Sequence, residues 1–165
     1  MTKFRNSVII ILVLAGIILA ALPNFSSPET EWSKTDPSLN ITHIFMGDIN
    51  SRGKPVGFHV APKTDGYPHA RIKQTLSGPN KAGVYTAMIE IFDPETSRWK
   101  EKFSSIFPEK LTKQQIIDAI LSAFKNNRLP QGAKWQGRSG RGFLIEGYTL
   151  KNGTVNTAYP IYVAD

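Results

Sequence analysis

One segment of the chain alternates apolar and polar residues with a helical period. Apolar side chains recur every three or four positions over residues 113–126, which predicts an amphipathic helix. Thr112, with Gln115 three residues later, is typical of a capping box at the helix start. Asparagines and Pro130 end the pattern. The predicted apolar face contains Ile116, Ile117, Ile120, Leu121 and Phe124.

Other segments follow the two-residue period of β-strands. Residues 83–92 are rich in β-branched and aromatic side chains, and residues 143–150 alternate. Asn152–Gly153 predicts a tight hairpin turn before a returning strand over residues 155–163. The Gly- and Arg-rich residues 131–142 predict a mobile loop. The pattern as a whole predicts an α+β fold, in which one compact domain of antiparallel sheet carries packed helices.

The N-terminus has a different pattern. A short head containing Lys3 and Arg5 precedes an apolar run over residues 8–22. This arrangement is typical of a secretory signal peptide, and a retained signal-anchor is the alternative because no strong cleavage site follows. We therefore expect the protein to be secreted, or anchored to the membrane with its domain outside the cytoplasm. The predicted division is a signal peptide or signal-anchor over residues 1–25, a polar tether over 26–39 and a folded domain over 40–165.

Composition narrows the possible chemistry. The chain of 165 residues contains no cysteine, which excludes disulfides and thiolate zinc sites. Its formal net charge is +7, which suits a polyanionic partner such as nucleic acid.

Two of the histidines are candidates for acid–base chemistry. His43 and His59 each lie beside glycine and apolar residues, so packing is expected to hold both rings. Two imidazoles can take and give a proton near neutral pH. The alternative is that they are unrelated, with one in the core and one at the surface.

Hydroxyl, aromatic and cationic side chains occur later in the chain. In an extended strand, Thr157 and Tyr159 point to the same face, where they could grip one nucleotide. Lys100 and Lys102 precede a Ser-Ser-Ile-Phe-Pro block that begins at Ser104. A lysine near a phosphate can stabilise developing negative charge. Considered alone, each of these features is equally typical of an ordinary strand or a solvated surface.

Together, these blocks resemble the bacterial EndoU nucleases, relatives of eukaryotic EndoU and of the coronavirus uridylate-specific endoribonuclease. The resemblance runs from about residue 41 to residue 163, and the order of the blocks makes it specific. The blocks are His43–Asn50, Gly57–His59, Gly83–Tyr85, Ser104–Pro108 and Thr157–Pro160.

The resemblance implies a role for particular residues. His43 and His59 would be the catalytic pair, with Lys102 as the catalytic lysine and Lys100 as the alternative. His69 matches no position of the family. The implied substrate-binding residues are Ser104, Ser105, Thr157 and Tyr159.

The implied activity is endonucleolytic cleavage of single-stranded RNA, preferentially at uridines. Attack by the 2′-OH would leave 2′,3′-cyclic phosphate and 5′-OH ends. The sequence shows no compact carboxylate cluster for a metal, although the family includes members stimulated by Mn²⁺. The implied setting is a secreted toxin or effector whose partners are RNA and a cognate immunity or inhibitor protein, with the membrane as a further partner if the N-terminal segment is retained.

Other functions are compatible with the same residues. A non-catalytic RNA-binding module on the same fold would not need both histidines and a lysine. A membrane-anchored interaction protein would have no affinity for RNA, and a deoxyribonuclease would be expected to show metal ligands.

Overall fold

A computed structural model of the chain describes residues 28–63, 67–129 and 133–165. The apolar N-terminal segment lies outside the described residues, so the signal peptide or signal-anchor stays a prediction. Within these three ranges, no helix has the length and apolar character needed to cross a membrane.

The described residues form small antiparallel sheets around one main helix, which confirms the α+β class. One sheet has two strands and each of the other two has three, and within every sheet neighbouring strands follow one another along the chain. A π-helix, Thr42–Met46, precedes them. The elements are β1 (Asp48–Ile49), β2 (Pro55–Val56), β3 (Ala70–Ser77), β4 (Tyr85–Asp93), β5 (Arg98–Ile106), α1 (Lys113–Lys125), β6 (Lys134–Arg138), β7 (Leu144–Thr149) and β8 (Val155–Pro160).

Helix α1 confirms the amphipathic pattern and its capping box. The Gln115 N–H donates to Thr112 Oγ1 at 3.2 Å, and the Thr112 N–H donates to Gln115 Oε1 at 3.0 Å. These two bonds satisfy N–H groups that the first helical turn leaves without partners. The apolar face packs on the C-terminal sheet, where the Phe124 ring meets Trp135 edge-on at 5.4 Å.

The C-terminal hairpin also confirms its prediction. Strands β7 and β8 pair antiparallel around the turn at Asn152–Gly153, where Gly153 has the left-handed φ of 85°. Glu146 is therefore opposite Tyr159, and Tyr148 is opposite Thr157. Side chains at opposed positions share one face of a sheet, so this face carries both residues of the predicted nucleotide grip.

The mobile loop predicted over residues 131–142 is wrong for its central part. Strand β6 occupies this part and pairs with β7. Trp135 and Gly137 are buried while Lys134 and Arg138 are exposed, which is the alternation of an edge strand. Gly137 is required by close packing, because a Cβ there would lie 1.9 Å from the carbonyl oxygen of Ala123 in α1. The Gly and Arg content therefore reflects helix packing and surface charge rather than mobility.

This packing predicts that Gly137→Ala destabilises the domain. The added methyl group must push β6 away from α1, and overpacking of this kind costs about 1–3 kcal/mol. Gly78→Ala is the matched control, because a Cβ at Gly78 meets no atom within 4 Å. Urea denaturation should show a lower midpoint for Gly137→Ala alone. Equal midpoints for the two variants would contradict the close approach of β6 to α1.

Candidate active site

The site is built around residues 57–59, which are hydrogen-bonded on both sides. On one side, the N–H groups of Phe58 and His59 donate to the carbonyl oxygens of His43 and Ile44, at 3.0 and 2.8 Å. On the other side, the carbonyl oxygen of His59 accepts at 2.8 Å from the N–H of the first residue after β5. The segment therefore ties the π-helix to the end of β5 and brings the two histidines to one place.

This segment adopts a backbone conformation that only close packing explains. Gly57 has a φ of 70°, and a Cβ there would lie 1.9 Å from the carbonyl oxygen of His43. Phe58 has a φ of 60°, which is uncommon for a residue other than glycine. Its side chain is 0% exposed, so burial of the ring offsets the unfavourable backbone conformation next to His59.

Strand β5 supplies polar side chains to the same segment. Lys102 and Ser104 project from one face of the strand. Lys102 Nζ donates to the carbonyl oxygen of Gly57 at 2.8 Å, and Ser104 Oγ donates to that of Phe58 at 2.8 Å. The structure therefore brings the charged side chain of Lys102 into the packed region around the two histidines.

The contacts of His59 fix its tautomer. Nδ1 lies 3.0 Å from the carbonyl oxygen of Ser105 and 2.9 Å from Ser104 Oγ. A carbonyl oxygen can only accept, so Nδ1 carries the proton and the unprotonated nitrogen is Nε2. No side chain or backbone group in the described ranges hydrogen-bonds to that Nε2. His59 therefore presents a proton acceptor while its other nitrogen is held in place.

His43 is positioned through its backbone and leaves its ring available. Its N–H donates to Asn40 Oδ1 at 3.0 Å, and Asn40 Nδ2 donates to Asn156 Oδ1 at 3.2 Å. Among the described residues, the imidazole of His43 has no hydrogen-bond partner. A polar cavity of about 290 Å³ opens beside the ring. It is lined by Thr30, Asn40, Thr42, His43, Asp48, Asn50, Val56 and Asn156.

Burial and one cation set the protonation of both histidines. Burial, followed by the charge of Lys102, lowers the pKa of His43 to about 4. The same two causes, in the same order, lower the pKa of His59 well below its usual value. Burial also lowers the pKa of Lys102 to about 8. At neutral pH, the site therefore holds two neutral imidazoles next to a lysine that is mostly protonated.

Lys100 has a different environment from Lys102. Its Nζ donates to the carbonyl oxygen of Gly53 at 2.7 Å and forms an ion pair with the buried Asp93 carboxylate. The bond from Lys100 is the largest of the causes that hold the pKa of Asp93 at about 2. Lys100 therefore neutralises a buried carboxylate beside β4, while Lys102 is the lysine whose charge acts on the histidines.

The C-terminal sheet contributes an aromatic wall. The ring of Tyr159 packs on His59 with ring centroids 5.2 Å apart. Its hydroxyl donates to Glu146, which also forms an ion pair with Lys134 at 3.0 Å. Thr157 lies on the same sheet face, and within the described ranges its hydroxyl has no hydrogen-bond partner. Thr157 and Tyr159 thus share one sheet face, and the Tyr159 ring is the part of it that contacts His59.

Two of the other residues considered from the sequence are placed differently. Ser105 follows Ser104 on β5, so its side chain projects from the opposite face and its carbonyl is the group that contacts His59. His69 is buried beside Tyr67, with rings 6.0 Å apart. In the described part of the chain, His69 makes no contact with the other two histidines or with Lys102.

Sequence reasoning missed Asn40, Asn156 and Glu146. Glu146 could have been found, because a count back from a two-residue turn at Asn152–Gly153 places it opposite Tyr159. The structure reaches the same pairing through a three-residue turn between Leu150 and Thr154 and a register shift next to Tyr148. Asn40 and Asn156 are distant in sequence, and no local pattern indicates their contact.

The described residues contain no group of three or more His, Cys, Asp or Glu side chains that could hold a metal ion.

This chain is similar to known proteins over the residues that form the site. The family described as bacterial EndoU nuclease matches residues 38–162. A Bacillus cereus protein named "Toxin" is 31% identical over 121 residues, which cover 73% of this chain and 22% of that protein. The chain thus spans much less than half of the length of this curated relative. No solved structure matches the chain with significance.

The electrostatics of the site predict a response to the loss of one charge. Lys102→Met removes a cation that disfavours both imidazolium forms, so the pKa values of His43 and His59 should rise. Each should remain below 6.5, the ordinary value for histidine, because burial is the larger cause and is retained. NMR titration of the imidazole resonances measures both pKa values.

Lys100→Met is the matched control, since Lys100 lies on the same strand face but its charge is not among the causes that shift the pKa of either histidine. This control should leave both histidine pKa values close to those of the wild-type protein. Equal shifts in the two lysine variants would contradict the assignment of the local charge to Lys102.

Proposed function

The chain belongs to the bacterial EndoU nuclease family, and on this premise we propose that its domain is an endoribonuclease that cuts single-stranded RNA. The observation that carries the proposal is the meeting of His43, His59 and Lys102 at residues 57–59. Two imidazoles supply proton transfer and one ammonium supplies positive charge, which are the groups that transesterification of RNA requires.

The proposed reaction begins at the ribose 2′-OH. His59 Nε2 removes its proton, because Nδ1–H is committed to the Ser105 carbonyl. The 2′-oxygen attacks the adjacent phosphorus, and Lys102 stabilises the negative charge that builds on the phosphorane. His43 protonates the leaving 5′-oxygen. The products are a 2′,3′-cyclic phosphate and a free 5′-OH.

The low pKa of His43 is compatible with its role as the acid once RNA is bound. A phosphate placed between the histidines and Lys102 brings negative charge into a buried site. Opposite charge nearby favours the imidazolium form and raises the pKa of His43 from about 4. Without RNA, the site thus favours the neutral form of His59, the base. Bound RNA favours the protonated form of His43, the acid.

Substrate grip is assigned to the open face of the C-terminal sheet. Tyr159 is held by Glu146 and presents its ring beside His59, where a base or sugar can stack. Thr157 offers a hydroxyl that can bond a base edge or the phosphate. The preference for uridine is proposed from the family resemblance. Ser104 serves in positioning, since its hydroxyl contacts both His59 and the Phe58 carbonyl.

The proposal assigns no residues to the binding of a metal ion. Because no ligand cluster is found among the described residues, none of the steps above is assigned to Mn²⁺. Stimulation by Mn²⁺ is a property to be measured alongside cleavage.

The proposed biological role is that of an exported toxin or effector. The support is the likeness to the Bacillus cereus protein named "Toxin", together with the predicted N-terminal signal peptide or signal-anchor. RNA is then the substrate, and an immunity protein that blocks the site is the proposed partner in the producing cell. If the anchor is retained, the domain would remain at the outer face of the membrane.

Single substitutions at the histidines test the proposed function. His43→Ala and His59→Ala should each lower the rate of RNA cleavage by roughly 10²-fold or more, as expected for loss of a general acid or base. His69→Ala is the matched control and should retain nearly full activity. Rates are measured on a labelled RNA oligomer and on the DNA oligomer of the same sequence, with and without Mn²⁺.

Thermal melting of all variants separates loss of chemistry from loss of fold. Binding of RNA without cleavage by the wild-type protein would indicate the non-catalytic RNA-binding module instead. An effect of His69→Ala as large as the other two, in a well-folded protein, would overturn the assignment of the catalytic pair.

A further inference from the structure

A cavity larger than the one beside His43 lies at the far end of the open sheet face. Its volume is about 620 Å³, which is in the range of small-molecule sites. Most of its side chains are apolar, and one is a cation, Arg138. It is lined by Asn80, Arg138, Gly140, Gly142, Phe143, Leu144, Ile161 and Val163. Neither the family resemblance nor the proposed reaction uses this cavity.

The cavity lies next to the proposed substrate grip along strands β7 and β8. Arg138 is opposite Leu144, and the Ile161 N–H donates to the Leu144 carbonyl at 2.8 Å. Two residues back along β8, Tyr159 is opposite Glu146 on the same face. Two residues of a strand span about 7 Å, which is on the scale of one extended nucleotide step. An RNA strand that passes Tyr159 and follows β8 therefore reaches the cavity with its next nucleotide.

The direction of the RNA follows from the position of His43. The polar cavity beside His43 is lined by Asn156, at the opposite end of β8 from Ile161. In the proposed reaction, His43 protonates the oxygen of the leaving, downstream nucleotide. The downstream strand therefore lies at the Asn156 end. The cavity at Ile161 is thus on the upstream side of the nucleotide that Tyr159 holds.

The walls of the cavity are held before any ligand binds. The buried Ser139 donates its hydroxyl to the Phe143 carbonyl at 2.7 Å and shapes the turn of residues 139–143. On the opposite wall, Asn80 Nδ2 donates to the Val163 carbonyl at 2.9 Å and links the C-terminal segment to the turn before β4. A preformed pocket binds without the entropic cost of ordering its walls.

The charge of the cavity fits an RNA strand. Arg138 is exposed and forms no ion pair with any residue in the described ranges. Its guanidinium can therefore bind a phosphate at the mouth, with two parallel hydrogen bonds. The side chains of Leu144 and Ile161 offer an apolar surface for a base.

We propose that this cavity is a subsite for the nucleotide immediately upstream of the one held by Tyr159, with its base against Leu144 and Ile161 and the phosphate that joins the two nucleotides on Arg138. The inference rests on the proposed endoribonuclease function and extends it, because it makes efficient substrates longer than a dinucleotide. The apolar lining gives no hydrogen-bond readout, so any base should be accepted.

The test compares two substrates that share one scissile uridine. The short RNA begins at this uridine, and the long RNA has one additional nucleotide upstream. The long RNA should show a kcat/KM about tenfold higher, as expected when one base is buried against an apolar surface and one phosphate gains a charge-assisted hydrogen bond. A third RNA carries an abasic residue in place of the upstream base and should lose most of this gain.

Variants of the whole 165-residue chain identify the residue responsible. Arg138→Gln should lower the ratio of kcat/KM between long and short RNA clearly below tenfold, because the phosphate contact is lost while the apolar surface for the base remains. Arg141→Gln is the matched control, because Arg141 is an exposed arginine of the adjacent turn that does not line the cavity, and it should keep the tenfold ratio.

The outcomes separate this inference from the proposed function. If wild-type protein cuts both RNAs with equal kcat/KM, or if Arg138→Gln keeps the ratio, the subsite is overturned while the nuclease stands. If the cavity instead binds a ligand of another kind, such as an inhibitor protein, Arg138→Gln should keep the ratio. If neither RNA is cut, the proposed function itself is overturned.

Discussion

The close approach of residues 57–59 to the π-helix is the constraint on which the rest of the site depends. Only glycine fits at position 57, since any Cβ there would overlap the carbonyl of His43. This contact allows the hydrogen bonds from Phe58 and His59 that align the two histidines, although they are 16 residues apart in the chain. The left-handed backbone at Phe58 is sustained because the ring is buried. The fold therefore holds an unfavourable local conformation at the point where its two candidate acid–base groups meet.

Strand β5 then determines the charge of the site. Its two lysines project from the same face, yet they have opposite electrostatic roles. Lys100 compensates the buried Asp93, whereas Lys102 has no carboxylate partner within the described ranges and disfavours protonation of both histidines. Burial of Lys102 lowers its own pKa to about 8, so it remains mostly charged at neutral pH. A site with one uncompensated cation and two neutral imidazoles is complementary to a phosphodiester.

The sequence predicts those parts of the structure that depend on local signals. The capping box of α1 and the turn at Asn152–Gly153 are short-range features, and both are confirmed. Strand β5 escaped prediction because its alternation is reversed: the inward Lys102 and Ser104 satisfy backbone carbonyls, while the outward Phe103 is 58% exposed. The loop prediction for strand β6 is wrong because Gly137 is required by its close contact with the backbone of α1. No local pattern in the sequence indicates this contact. For the site, the family resemblance implies both catalytic histidines and two candidates for the catalytic lysine. The different environments of Lys100 and Lys102 became visible only through contacts distant in sequence.

The central claim is that His43, His59 and Lys102 promote attack by a ribose 2′-OH. It is tested most directly with a DNA oligomer that contains a single ribouridine, incubated with the wild-type protein and analysed by mass spectrometry. The account predicts one cut, immediately after the ribouridine, with a 2′,3′-cyclic phosphate on one product and a 5′-OH on the other. The all-DNA oligomer, which lacks any 2′-OH, should remain intact. Cleavage of the all-DNA oligomer, or products bearing a 5′-phosphate, would contradict the account.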